Sequence, residues 1–254
     1  MCAAQRTVRR TGAAFVLAGV LSVLAGCATD SDSDTLIVFA ASSLVDAFAE
    51  IGAAFEQQNA GADVVITTGG SSALRAQIID GAPAAVFASA NASTMDAVVE
   101  AGDTAAGPQV FARNGLEVVA PAGNAGGVRG LSDLARGDLF VGLCAVGVPC
   151  GDLSRDVLGE GGVIPSVDTD EPDARALLSK IVDGELDVGL VYTTDALSAG
   201  DHVVAFATGV DLNTPYLIAP LEGAADPELA SAFVDYVTGR TGQAVLSEQG
   251  FLAP

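Results

Sequence analysis

Apolar, β-rich runs that alternate with helix-period segments constrain this chain more than any other feature. They fall at 36–40 then 44–57, at 63–68 then 72–80, and at 85–89 then 92–101. Such alternation predicts an α/β fold, a mainly parallel sheet with helices on both faces. The junctions are as telling as the runs. The first strand passes directly into serines, Leu36-Ile-Val-Phe-Ala-Ala-Ser-Ser-Leu44, and the second does so through glycines, Thr67-Thr-Gly-Gly-Ser-Ser-Ala-Leu74. A serine at a helix start presents a hydroxyl and unpaired backbone N–H groups above the sheet, the elements of a small anion site.

A second series follows: strands at 116–120, 139–144 and 188–192, with helices near 131–136, 152–159 and 173–183. Strands at 203–207 and 215–221 and two helices near 227–238 and 240–248 complete the chain. The segments 111–116 and 209–215 read as paired crossings between two bodies. The first lobe is then discontinuous, 35–112 plus 213–254, and the second is 113–212. In such a fold, ligands sit between the bodies at strand ends and helix N-termini.

The N-terminus stands apart from this pattern. Arg6, Arg9 and Arg10 precede an apolar run from Ala13 to Val23, closed by Leu24-Ala-Gly-Cys27. This reads as a secretory signal over 1–26, cleaved before a Cys27 that is acylated and anchors the protein to the cell membrane. The small, polar and acidic stretch that follows, 27–34, reads as a tether. Of 11 basic residues three leave with the signal, so 8 face 32 acidic ones in the mature chain, and nucleic acid is excluded as a natural partner. Cys144 and Cys150 are the cysteines left over. Outside the cytoplasm a pair at this spacing suits a small disulfide loop; a metal pair or two buried thiols are the alternatives.

Four helix starts offer donors, and none offers a cation. They are Ser42-Ser43 with Asp46 three residues on, Gly69-Gly70-Ser71-Ser72, Val148-Pro149-Cys150-Gly151, and Glu171-Pro172-Asp173-Ala174. Each taken alone is equally a plain cap. Facing one another, their dipoles and N–H groups hold an anion without a counter-charge. Tyr192, at the end of a strand, either adds a phenol donor or caps the core. Arg75 and Arg175 sit inside their helices and suit solvent or interlobe ion pairs better than ligand contact. The single histidine, His202, precedes a strand, and neither serine pair has the context of a nucleophile elbow.

The strings Val-Phe-Ala-Ala-Ser-Ser-Leu (38–44), Gly-Ser-Ser-Ala-Leu-Arg-Ala-Gln-Ile (70–78), Gly-Ala-Pro-Ala-Ala-Val-Phe-Ala-Ser-Ala (81–90), Val-Pro-Cys-Gly (148–151) and Gly-Leu-Val-Tyr (189–192) together resemble the molybdate-binding proteins of bacterial ABC importers. The resemblance spans 36–253. It implies a two-lobed periplasmic binding protein fold of type II, a ligand that is molybdate or tungstate, and no cofactor or catalysis. It also implies a monomer that delivers its ion to a permease with its ATPase. Matched by motif, Ser43 and Ser71 supply hydroxyls, Cys150 and Ala174 backbone N–H groups, and Tyr192 its phenol, with Ser42 and Ser72 as secondary candidates and no side-chain metal ligand. Ala85 and Asn91 replace acids of the family pattern, a change expected to concern caps and hinge contacts. The cysteine pair is absent from the commonest form of the motif. Other tetrahedral oxyanions (sulfate, thiosulfate, phosphonate) define the alternative within this class, and a hydrolase or a non-transport lipoprotein the alternatives outside it.

Overall fold

Strand β1 (Asp34–Ala41) is covered on both faces, which is why its sequence is a continuous apolar run and not an alternating one. Phe39 shares a core with Leu74 and Ile78 of α2 (Ser71–Ile79) and with Met95 and Val98 of α3 (Ala92–Ala101). Val38 and Ala40 belong to the opposite core, with Phe48, Ile51 and Phe55 of α1 (Val45–Gln58) and Phe233 of α7 (Pro227–Thr238). The computed structural model describes residues 34–254. The expected signal, the anchor Cys27 and the tether up to Ser33 lie outside the described residues.

Among the described residues, nine strands form one hydrogen-bonded sheet. On one wing β2 (Ala62–Gly69), β1 and β3 (Val86–Ser89) run parallel. On the other, β6 (Val167–Glu171), β5 (Val141–Cys144) and β7 (Val188–Tyr192) run parallel. The centre is antiparallel, built from β4 (Gln109–Pro121) and β9 (Asn213–Pro220). Strand β4 changes partners along its length: Gln109–Gly115 pairs with β9, and Leu116–Pro121 pairs with β7 and with β8 (Val203–Ala207). The sheet is therefore two halves joined where the chain crosses near Gly115 and Asn213.

Parallel wings require crossovers, and helices supply them. Besides those already given, α4 (Pro149–Glu160), α5 (Ala174–Val182) and α6 (Thr193–Ala199) serve the second half, and α8 (Arg240–Glu248) packs beside α1 and α7 in the first. Several elements depart from the sequence expectation. Strand β6 carries the sequence Val-Asp-Thr-Asp-Glu, yet it is an edge strand whose hydrogen bonds to β5 do not need an apolar run. The short α6 follows Tyr192 without an intervening loop, so a strand-end reading hid it. The helix expected near 131–136 is a 3-10 turn, Leu131–Ala135, preceded by an extended Gly130.

Candidate functional site

The C-terminal ends of all six parallel strands converge on one cavity, the position at which open α/β sheets bind ligands. From the first half, its walls are Ala41, Ser42 and Ser43 after β1, Gly70 and Ser71 after β2, and Ala90 after β3. From the second half come Val148, Pro149 and Cys150 at the start of α4, Pro172, Asp173 and Ala174 at the start of α5, and Tyr192 at the end of β7. The structure thus brings Ser42, Ser43, Ser71, Cys150, Ala174 and Tyr192 into one lining. Ser72 is not among them: its hydroxyl donates to the Gly147 carbonyl at 2.6 Å. The cavity is small: its free volume of about 10 Å³ is close to the least that admits one water molecule.

Hydroxyl donors can be accounted for one by one. The Ser71 oxygen accepts the Ala90 N–H at 3.1 Å, which leaves its own hydrogen to point elsewhere. Ser43 lies 2.8 Å from the Tyr216 hydroxyl, and Tyr216 also receives the Asn114 amide at 3.5 Å. When Tyr216 donates to Ser43, the chain Asn114 to Tyr216 to Ser43 turns the last hydrogen toward the cavity. Tyr192 is 2% exposed, and its hydroxyl has no hydrogen-bond partner among the described residues. Burial pushes its ionisation well above the ordinary phenol range, with the neighbouring Tyr216 adding to the effect. It therefore stays protonated, a donor without an acceptor.

Backbone donors follow from the helix starts. No side chain caps α2 or α4, and only from Ala73 and Asp152 onward do the N–H groups bond back, to the Gly70 and Val148 carbonyls, so the N–H groups before them are left to the cavity side of each helix start. In α4 the first position is Pro149, which has no N–H, so Cys150 supplies the first donor. In α5 the Asp173 side chain takes the N–H groups of Arg175 and Ala176, at 2.9 and 3.0 Å, and leaves that of Ala174. Asp173 is the one charged side chain in the cavity lining, and its carboxylate is turned to this cap. The capping box suggested by Ser43 and Asp46 does not form: α1 has no side-chain cap, and Asp46 pairs instead with Arg175.

Around the cavity stands a supporting layer. Cys144 and Cys150 form a disulfide with Cα atoms 5.7 Å apart, closing the loop that carries Val148 and Pro149. Arg155 donates to the carbonyls of Cys144 and Gly151, at 2.8 and 2.9 Å, and ties the end of β5 to α4. Gly151 packs so closely that a side chain would meet the Ala145 carbonyl at 1.9 Å. Asp195 is fully buried, with Arg175 Nε 2.7 Å from one carboxylate oxygen in an ion pair. Burial raises the Asp195 carboxyl to about 7 against the opposing pull of Arg175. Asn91 caps α3 through Thr94, in line with the expectation for that position. His202 is exposed and outside the cavity lining.

Two half-sheets closed over a cavity of neutral donors define a binding protein for a small solute. The family described as bacterial extracellular solute-binding protein matches residues 36–252, and the chain belongs to it. It is 39% identical over 222 residues to the molybdate-binding protein ModA of Mycobacterium tuberculosis, covering 87% of this chain and 85% of that one. To ModA of Escherichia coli it is 33% identical over 241 residues, covering 87% and 90%. Among solved structures, the periplasmic molybdate-binding protein of Azotobacter vinelandii superposes with a TM-score of 0.75 at 21% identity, covering 86% of this chain and 99% of that one. The sulfate-binding protein SubI of Mycobacterium tuberculosis superposes at 0.76 with 18% identity, covering 85% and 86%. The two-lobed binding-protein fold expected from the sequence is the fold observed.

Proposed function

We propose that this chain is the extracytoplasmic solute-binding component of an ABC importer and that it captures molybdate, and tungstate with it. Ser43, Ser71 and Tyr192 donate through hydroxyls, Cys150 and Ala174 through backbone N–H groups, and Ser42 lies beside them. The observation that carries the reading is the buried Tyr192 hydroxyl without an acceptor, facing a cavity ringed by helix starts and lacking any cationic side chain. Neutral donors suit a fully deprotonated dianion. A protonated oxyanion such as hydrogen phosphate must also donate, and the one carboxylate in the lining is engaged in a helix cap. Selection among molybdate, tungstate and sulfate then rests on cavity size.

The bodies that close are 35–112 with 213–254 and 113–212, a division supported by the change of partner along β4. The protein acts as a monomer without cofactor or catalysis and is held at the membrane by acylated Cys27. It passes its ion to a permease driven by an ATPase. Among the described residues no helix is long and apolar enough to cross a membrane. Calorimetry of the mature protein with molybdate, tungstate and sulfate in turn tests the ligand. Heat with the first two is expected; heat with sulfate alone transfers the protein to the sulfate receptors.

A further inference from the structure

Two contacts cross the cleft without touching the cavity. The Ser72 hydroxyl on α2 reaches over to the Gly147 carbonyl, at 2.6 Å, in the disulfide-closed loop of the opposite half. Arg175 on α5 reaches back to Asp46 on α1. Between them the two halves meet backbone to backbone: a side chain at Gly70 would stand 2.7 Å from the Pro172 carbonyl. None of Ser72, Asp46 and Arg175 lines the cavity.

An exposed ion pair contributes little by itself, because two long side chains must be ordered in water. Arg175 differs in one respect. Its Nε is held 2.7 Å from Asp195, a fully buried carboxylate of its own half, so the guanidinium is already oriented when Asp46 arrives. Gly147 is likewise fixed, since its N–H donates to Asp152 at 2.8 Å and its loop is closed by the disulfide. Both contacts therefore join a pre-set group on the second half to a group delivered by the first.

We propose that Ser72–Gly147 and Arg175–Asp46 form a clasp, a pair of positioning contacts that hold the halves closed and set how long the solute stays. The inference rests on the oxyanion reading above. A clasp acts by raising the fraction of closed protein, and apparent affinity scales with that fraction. Because the clasp never touches the ion, it changes the affinity of every bound oxyanion by the same factor.

The test compares Ser72→Ala and Asp46→Asn with the wild type by stopped-flow release and calorimetry, using molybdate and tungstate. Each variant is expected to release both ions roughly three- to tenfold faster, with the molybdate-to-tungstate ratio unchanged. Ser72→Thr and Asp46→Glu, which restore the donor and the charge, are expected to return release toward the wild-type rate. Small-angle scattering of the ligand-free proteins is expected to give a larger radius of gyration for both disrupted variants. Release at the wild-type rate, or a shifted ion ratio, overturns the clasp. If the wild type binds none of the oxyanions, the function proposal fails, and equal ligand-free radii then overturn the clasp independently.

Discussion

In the function proposed above, Tyr192 is the residue at which stability and binding oppose each other. A buried hydroxyl without a partner is unfavourable in the ligand-free protein and becomes favourable only when an acceptor arrives. Tyr192→Phe is expected to leave the ligand-free melting temperature unchanged or raised, while weakening molybdate binding by about 1 to 3 kcal/mol. Thermal melting and calorimetry on the same sample check both halves; a variant that binds normally removes Tyr192 from the site. Asp195 makes a second residue-scale case. Its carboxyl is raised to about 7 from an ordinary 3.8 by burial, with Arg175 opposing and Asp173 and Asp46 adding to the rise. The folded form thus holds this proton more tightly than the unfolded one, and the group's contribution to stability is lost as pH climbs from about 4 to about 7, then stays flat. Asp195→Asn mimics the protonated acid, so its stability relative to the wild type is expected to rise between pH 5 and pH 8. Urea unfolding at the two values checks it, and an unchanged difference refutes it. The sequence made Ser43, Ser71 and Tyr192 legible because each stands at a strand end. It did not reveal Tyr216, Asn114 or Asp195, whose roles depend on burial against residues far along the chain.

At the scale of elements, strand-to-helix junctions were readable and departures from them were not. Strand β6 and helix α6 carry no periodic apolar signal, the first because it is an edge and the second because it is only seven residues long and fused to Tyr192. Both matter to the site, since β6 delivers Pro172 and Asp173 and α6 delivers Asp195. The start of α4 shows how an element is positioned from several sides. The disulfide, the two Arg155 bonds and the close packing of Gly151 all fix the backbone that presents the Cys150 N–H. Replacing both cysteines by serine removes one of these constraints and leaves the donor in place. The double variant is expected to lose about 2 kcal/mol of stability, from the entropy of so short a loop, and to bind molybdate more weakly through poorer preorganisation. Chemical denaturation and calorimetry check the two effects. Full affinity in the variant would mean that Arg155 and Gly151 suffice.

Seen whole, the molecule must admit an anion through its own negative field. Residues 27–254 carry 32 acidic residues against 8 basic ones, whereas the cavity attracts only through helix starts and hydroxyls, whose reach is a few ångströms. Long-range repulsion and short-range attraction respond differently to salt. Added salt shortens the Debye length from about 30 Å at 0.01 M to about 10 Å at 0.1 M, which weakens the repulsion felt during approach. It leaves the contacts inside a closed, desolvated cavity nearly untouched. Association of molybdate is therefore expected to speed up several-fold between 10 mM and 500 mM sodium chloride, with the dissociation rate held nearly constant. Stopped-flow traces across that range separate the two rates. A slowing of association with salt would show instead that the cleft mouth presents a net positive field, with Arg175 steering the ion despite its two carboxylate partners. The opposite trend would leave neutral donors as the whole of the attraction, and it would place selectivity in the shape of the closed cavity and not in the charge of the protein around it.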